Sequence, residues 1–121
     1  MTSMPCPCGL PASYDDCCGR FHRGDAKAPT AERLMRSRYS AFAVGDAAYL
    51  LRTWHPSTRP RTLDLAGGPR WTRLEVLETT GGSALQTGGT VRFRAHYQGG
   101  ALDENSRFVV QDGAWLYVGP G

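Results

Sequence analysis

Several things are scarce in this chain. Of its 14 lysines and arginines, Lys27 is the one lysine. No apolar run approaches the ~20 residues needed to cross a bilayer, which excludes a helical membrane span. Met1-Thr2-Ser3-Met4 has neither a basic start nor an apolar stretch, so no secretory leader is legible and a reduced, cytoplasmic setting is expected. The net charge of +3 is small. It gives no reason to expect a polyanion as the main ligand, and any anion that does bind will meet planar guanidinium forks. Cysteine is absent beyond position 18.

The cysteines that exist are therefore crowded. Cys6, Cys8, Cys17 and Cys18 all fall in a stretch of about a dozen residues, too short to bury a core. Four thiolates at about 2.3 Å fill the tetrahedral sphere of Zn(II) and leave no open position, which marks a structural site. Two disulfides would suit an exported scaffold better, and a redox dithiol would need Cys-x-x-Cys spacing beside a strand-helix unit. A metal site is the preferred reading. Gly9 and Gly19, each following a cysteine pair, supply the turns such a knuckle needs. With four sulfurs in place, His22 is left an outer role.

Cys6-Pro7-Cys8-Gly9, Tyr14 and Cys17-Cys18-Gly19 resemble the SEC-C motif, a short zinc module also found at the C-terminus of the translocase motor SecA. Leu10-Pro11-Ala12 and Asp15-Asp16 depart from the common form, which carries basic residues there. The departure removes a basic loop and leaves the ligands intact.

Arg20 to Asp25 reads as a charged linker, in which Arg20 and Arg23 either offset the negative charge of a tetrathiolate site or are simply solvated. Thr30 then caps a helix with Glu32 in its first turn. Ala31, Leu34, Met35, Arg38 and Phe42 recur at helical spacing, flanked by Tyr39, until Gly45 ends the run. Arg38 is the polar residue on that apolar face. Buried there, it needs a carboxylate or a set of carbonyls, and Glu104 is a candidate partner. Asp46 caps a second helix that runs to His55-Pro56. Arg92, Arg94 and His96 alternate with Val91, Phe93, Ala95 and Tyr97, giving a half-buried strand with a basic outer face. No aromatic residue interleaves on that face, so nucleic-acid stacking is not expected. Strands are expected over 71–80, 90–98, 106–111 and 114–118, the last two joined by a hairpin at Asp112-Gly113.

Helices followed by an antiparallel meander imply an α+β fold in which a curved sheet wraps the helices. The segments Leu34-Met35-Arg36-Ser37-Arg38-Tyr39-Ser40-Ala41-Phe42, Thr53-Trp54-His55-Pro56, Ser106-Arg107-Phe108 and Gly113-Ala114-Trp115-Leu116-Tyr117 resemble the YchJ family of bacterial proteins. The resemblance implies a zinc knuckle over residues 1–24 and a nuclear-transport-factor-2-like cone over 25–121. It implies no particular chemistry. Two functions are expected to compete. In the first, the protein is a non-enzymatic interaction module whose knuckle docks a protein or ribosomal partner. In the second, the cone holds a small molecule, as a binding, hydrolase-like or isomerase-like pocket. Arg38 would then meet an anionic group, Tyr39 and Trp54 would form walls, His55 or Glu104 would be the base, and Arg107 would lie nearby.

Overall fold

The computed structural model describes residues 4–120. Three helices, α1 (Cys18–His22), α2 (Ala31–Val44) and α3 (Ala47–Arg52), precede four strands, β1 (Trp71–Gly81), β2 (Gly88–Tyr97), β3 (Gly100–Gln111) and β4 (Ala114–Pro120). The strands form one antiparallel sheet in sequence order. Register shifts between Trp71 and Arg73, Val76 and Glu78, and Arg107 and Phe108 bend it. The concave side closes over α2, so that one helix lies within the curve of the sheet and α1 and α3 pack on the far side of that helix.

Local chemistry sets the helix ends. Thr30 Oγ1 accepts from Arg33 N at 3.1 Å, and Gly45 at φ 81° closes α2 by donating to Ala41 O. Asp46 Oδ1 accepts from Tyr49 N and starts α3 one residue later. The expected continuation of α3 to His55-Pro56 is not observed. From Thr53 the chain turns to run beside β4, with Tyr117 N donating to Thr53 O and His55 N to Tyr117 O, both at 2.8 Å. Those sheet bonds satisfy the backbone at the open edge of β4, and tertiary pairing overrides helical continuation.

The expected alternation on β2 holds, with Val91 and Ala95 in the main core and Arg92 exposed. That core joins Leu34, Met35 and Tyr39 of α2 to Leu74, Phe108 and Trp115 of the sheet. Two expectations change. The strand placed at Ser106 begins six residues earlier, at Gly100, because it pairs with β2 from Gly100 to Val109. Residues 20–25 are not simply a linker. Cys18–His22 is helical and Phe21, 3% exposed, packs with Ala41, Tyr49 and Leu50 in a second core. Arg52 Nη2 donates to the carbonyls of Phe21 and His22, each at 3.2 Å, at the C-terminal end of α1, where Gly24 N also donates to Phe21 O.

α2 is therefore buried on two sides. One side meets the sheet; the other carries Ser37, Ser40 and Ala41, all fully buried, against α3 and the cysteine segment. Serine hides this second face from a hydrophobicity pattern, yet its small side chain permits close approach. Ser37 Oγ meets its own helix at Leu34 O and also Tyr49 OH, each at 2.7 Å.

Candidate metal centre and ligand cavity

Cys6, Cys8, Cys17 and Cys18 are buried, and their four sulfurs lie within 4.8 Å of one another. Cys8 Sγ and Cys17 Sγ are 3.7 Å apart, far from bonding distance and close to the roughly 3.8 Å edge of a tetrahedron of sulfurs at about 2.3 Å from a central ion. The donor set thus fits a tetrahedral metal ion. The backbone prepares it: Gly9, at φ 89°, turns the chain back with its N–H on Cys6 O, and Cys6 N reaches Ala12 O across the loop. Gly19 serves otherwise than expected. It lies in α1 with an ordinary φ, and an added Cβ would stand 2.7 Å from Tyr14 O. That carbonyl accepts from both Cys17 N and Gly19 N, so glycine is needed there for close approach.

Hydrogen bonds from Cys18 and then Cys8 hold the Cys6 thiol far below the ordinary range, while Cys6 and Cys8 push Cys18 far above it. Cys8, lowered by Cys18 but raised by Cys6 and by burial, stands at about 11. Neighbouring thiolates oppose one another's ionisation, and a cation among them removes that opposition.

Of the two readings of Arg20 and Arg23, the first finds no contact to carry it, since among the described residues neither reaches a sulfur. Arg20 turns back to Cys17 O, and Arg23 pairs with Asp15 and Asp25 at the surface. The cations that reach the site come from α2: Arg33 Nη2 lies 3.9 Å from Cys17 Sγ, and Arg36 Nη1 donates to Cys8 O at 2.8 Å. Ser40 Oγ lies 3.6 Å from Cys6 Sγ. Only the i+3 spacing of Arg33 and Arg36 along α2 hinted at this. His22 is turned away from the sulfurs, its Nδ1 bonded to Tyr14 OH and its Nε2 to Ser37 O.

On the other side of α2, a cavity of about 240 Å³ lies between the helix and the concave sheet. Aromatic side chains dominate its wall, among them Tyr39, Phe42, Trp54, Trp71, Phe93 and Tyr117. Trp71 is central, with ring centroids 6.1 Å from Tyr39, 6.3 Å from Phe42 and 5.7 Å from Tyr97. Phe42 and Leu102 are exposed and mark the mouth.

One polar group of residues interrupts this wall. Arg38, 6% exposed, donates from Nη1 to Leu50 O at 2.8 Å and to Thr53 Oγ1 at 2.7 Å. Its guanidinium lies 4.6 Å from the Tyr117 ring centroid and 5.0 Å from that of Trp54. Burial lowers it to about 10, against smaller opposing contributions from Tyr117, Tyr49 and Glu104, so it stays charged at neutral pH. Glu104 Oε2 accepts from Ser106 Oγ and, at 3.1 Å, from Tyr117 OH. Burial, then the charge of Glu104, push the Tyr117 phenol up to about 12.

Of the residues singled out in the sequence, Arg38, Tyr39, Trp54 and Glu104 converge on this cavity. His55 and Arg107 do not line it. His55 Nδ1 is engaged by Ser57 at the surface, and Arg107 lies on the outer face of β3, opposite to Glu104, Ser106 and Phe108. Of the two receivers expected for Arg38, a carboxylate such as Glu104 or a set of carbonyls, the structure supplies the second kind. Among the described residues no ion pair joins Arg38 to Glu104; carbonyl, hydroxyl and aromatic faces receive Arg38, and Tyr117 stands between the two. Tyr117, Ser106 and Trp71 also line the cavity, and the sequence pattern gives none of them a site role. Extending the alternation of β3 back to Glu104 would have put Ser106 beside it. On the outer face, Arg94 forks onto Asp103 at 2.7 and 3.0 Å, and Glu75 meets His96 and Arg73. The basic ladder is largely neutralised.

Comparison with known proteins agrees with this geometry. The family described as YchJ, middle NTF2-like domain, matches residues 30–120. A UPF0225 protein of Streptomyces coelicolor is 66% identical, covering 98% of this chain and 95% of its own. Another from Corynebacterium glutamicum is 53% identical, with 93% and 92% covered. The solution structure of a SEC-C motif containing protein from Rhodopseudomonas palustris superimposes with a TM-score of 0.84 at 32% identity, covering 98% of each chain. The crystal structure of another from Psychrobacter arcticus gives 0.79 at 29% identity, covering 99% of this chain and 82% of that one.

Proposed function

The chain belongs to the YchJ family, with a SEC-C cysteine cluster preceding an NTF2-like domain, and from that premise we propose that it is a non-enzymatic, cytoplasmic binding protein. Its cone takes up a small, largely aromatic molecule. The observation that carries this reading is the cavity of about 240 Å³ with its aromatic wall. An apolar cavity of ~150 Å³ already accepts benzene, so this one suits a molecule of one or two fused rings. Glu104 is the carboxylate at the wall and has no histidine beside it, His55 being outside. That supports binding over acid-base chemistry.

The metal in this reading is Zn(II), held by Cys6, Cys8, Cys17 and Cys18, and its chemistry is purely structural. What the chain's own residues do is brace α2. Arg33, Arg36 and Ser40 tie the outer side of that helix to the knuckle, while Arg38, Tyr39 and Phe42 face the cavity. A protein or ribosomal partner would meet the outward residues Gly9, Pro11 and Ala12, which are exposed. A pull-down in which changing Cys17 and Cys18 to serine left every partner bound would count against such docking.

The cavity reading is tested by screening bicyclic aromatic fragments against the metal-loaded protein by two-dimensional NMR, reading the indole N–H signals of Trp54 and Trp71. Saturable shifts there support it. A library that moves neither signal at millimolar concentration sinks it.

A further inference from the structure

Arg38 poses a problem that the fold does not solve internally. A guanidinium with 6% exposure has no carboxylate against it, and its hydrogen bonds leave from Nη1 alone. Nη2 and Nε donate to nothing among the described residues. The sealed side-chain donors without partners are Arg33 Nε and Trp54 Nε1, so the unused edge of Arg38 is not among them and keeps contact with the cavity it lines. A cation buried without a counter-charge is unfavourable. Elsewhere this chain provides carboxylates even for exposed arginines, as at Arg94 with Asp103 and Arg23 with Asp25. Here Trp54 and Tyr117 clamp the guanidinium in place, and the acceptors on Nη1 fix its plane.

We infer that the occupant of the cone carries one carboxylate, which the Nη2 and Nε edge of Arg38 receives as a fork while the aromatic wall holds the rest of the molecule. The geometry of that edge suits a planar two-oxygen anion. Arg38 lies one turn from Phe42 at the mouth, so the acid group enters first and the ring system fills the space toward Phe42 and Trp71. Glu104, with Oε2 already engaged by Ser106 and Tyr117, places a negative charge elsewhere on the wall. That disfavours a second anionic group and restricts the ligand to a monoacid. The lowered pKa of Arg38 agrees with a charge whose burial Tyr117, Tyr49 and Glu104 offset only in part.

This inference rests on reading the cavity as a ligand site, and the test separates the two. Metal-loaded protein is titrated calorimetrically with 2-naphthoate, 2-naphthamide and 2-naphthylmethylamine, which share one ring system and differ in charge. The carboxylate should bind roughly ten- to a hundredfold tighter than the amide, the range of a charge-assisted hydrogen-bond pair. The amine should bind most weakly. Because Arg38 also anchors α3, the comparison among ligands on the unmodified protein carries the test. Arg38→Lys adds to it, and should narrow the gap between acid and amide while circular dichroism shows the fold retained. An amide that binds as well as the acid, or an amine that binds best, overturns the assignment to Arg38 and leaves the cavity reading standing. If none of the three binds at millimolar concentration, both fall.

Discussion

Replacing Gly19 with alanine sets helix propensity against packing. Propensity favours the change, since alanine inside a helix is better than glycine by about 1 kcal/mol, and Gly19 lies in α1 without a positive φ. Packing opposes it. The new Cβ would stand 2.7 Å from Tyr14 O and 3.1 Å from both Arg23 Nη1 and Tyr14 Cε2. The arginine can swing aside, but the carbonyl cannot, because it receives Cys17 N at 3.1 Å and Gly19 N at 2.8 Å. Overpacking costs about 1–3 kcal/mol, and weakening two hydrogen bonds adds roughly 0.5–1.5 kcal/mol each. The net expectation is a loss of about 3 kcal/mol, or roughly 10 °C in Tm for a chain of this size. The displaced Cys17 should also release metal sooner to a competing chelator. Gly9→Ala is the control: nothing lies within 4 Å of its added Cβ, so only the φ of 89° acts against it, at about 1–2 kcal/mol. Thermal unfolding of both variants with metal bound checks the pair. A Gly19→Ala protein as stable as its parent would refute the packing argument.

Glu104→Gln keeps an acceptor for Ser106 and Tyr117 but removes the negative charge from the cavity wall; aromatic carboxylates should then bind several-fold tighter by calorimetry, and unchanged affinity would place Glu104 outside their reach. Stripping the metal should abolish amide protection at Tyr14, Cys17 and Gly19, whose N–H groups bond only within the knuckle, while β2 and β3 stay protected in hydrogen exchange. Uniform loss across the sheet would mean that the cone depends on the knuckle for its existence. The stability contributed by Tyr117 should also fall in alkali. Tyr117 ionises at about 12 when folded against an unfolded value near 10, so its contribution is complete below about pH 10 and is lost as pH rises toward 12. Tyr117→Phe should flatten that limb of a denaturant-midpoint profile, and a profile identical to the parent's would exclude Tyr117 as its source.

What could be read directly from the sequence was whatever depends on near neighbours. The four cysteines, the Thr30 cap, the stop at Gly45, the cap at Asp46, the alternation of β2 and the Asp112-Gly113 hairpin are local chemistry, and each stands in the structure. Arg38 was legible as an anomaly, because a charge on an apolar stripe violates the helical pattern. Its surroundings were not legible. They depend on α3 ending at Thr53 in favour of pairing with β4, and on the register that sets Phe108 opposite Tyr117 and Phe93 opposite Glu104. The second buried face of α2 was hidden for a related reason, since serine and alanine carry little hydrophobic signal and matter only once another element approaches. Residues adjacent in the chain share their constraints at any fold. Residues brought together by register and helix packing acquire theirs only when the whole sheet has closed over α2, and that closure alone decided which charged groups face the cavity and which face water.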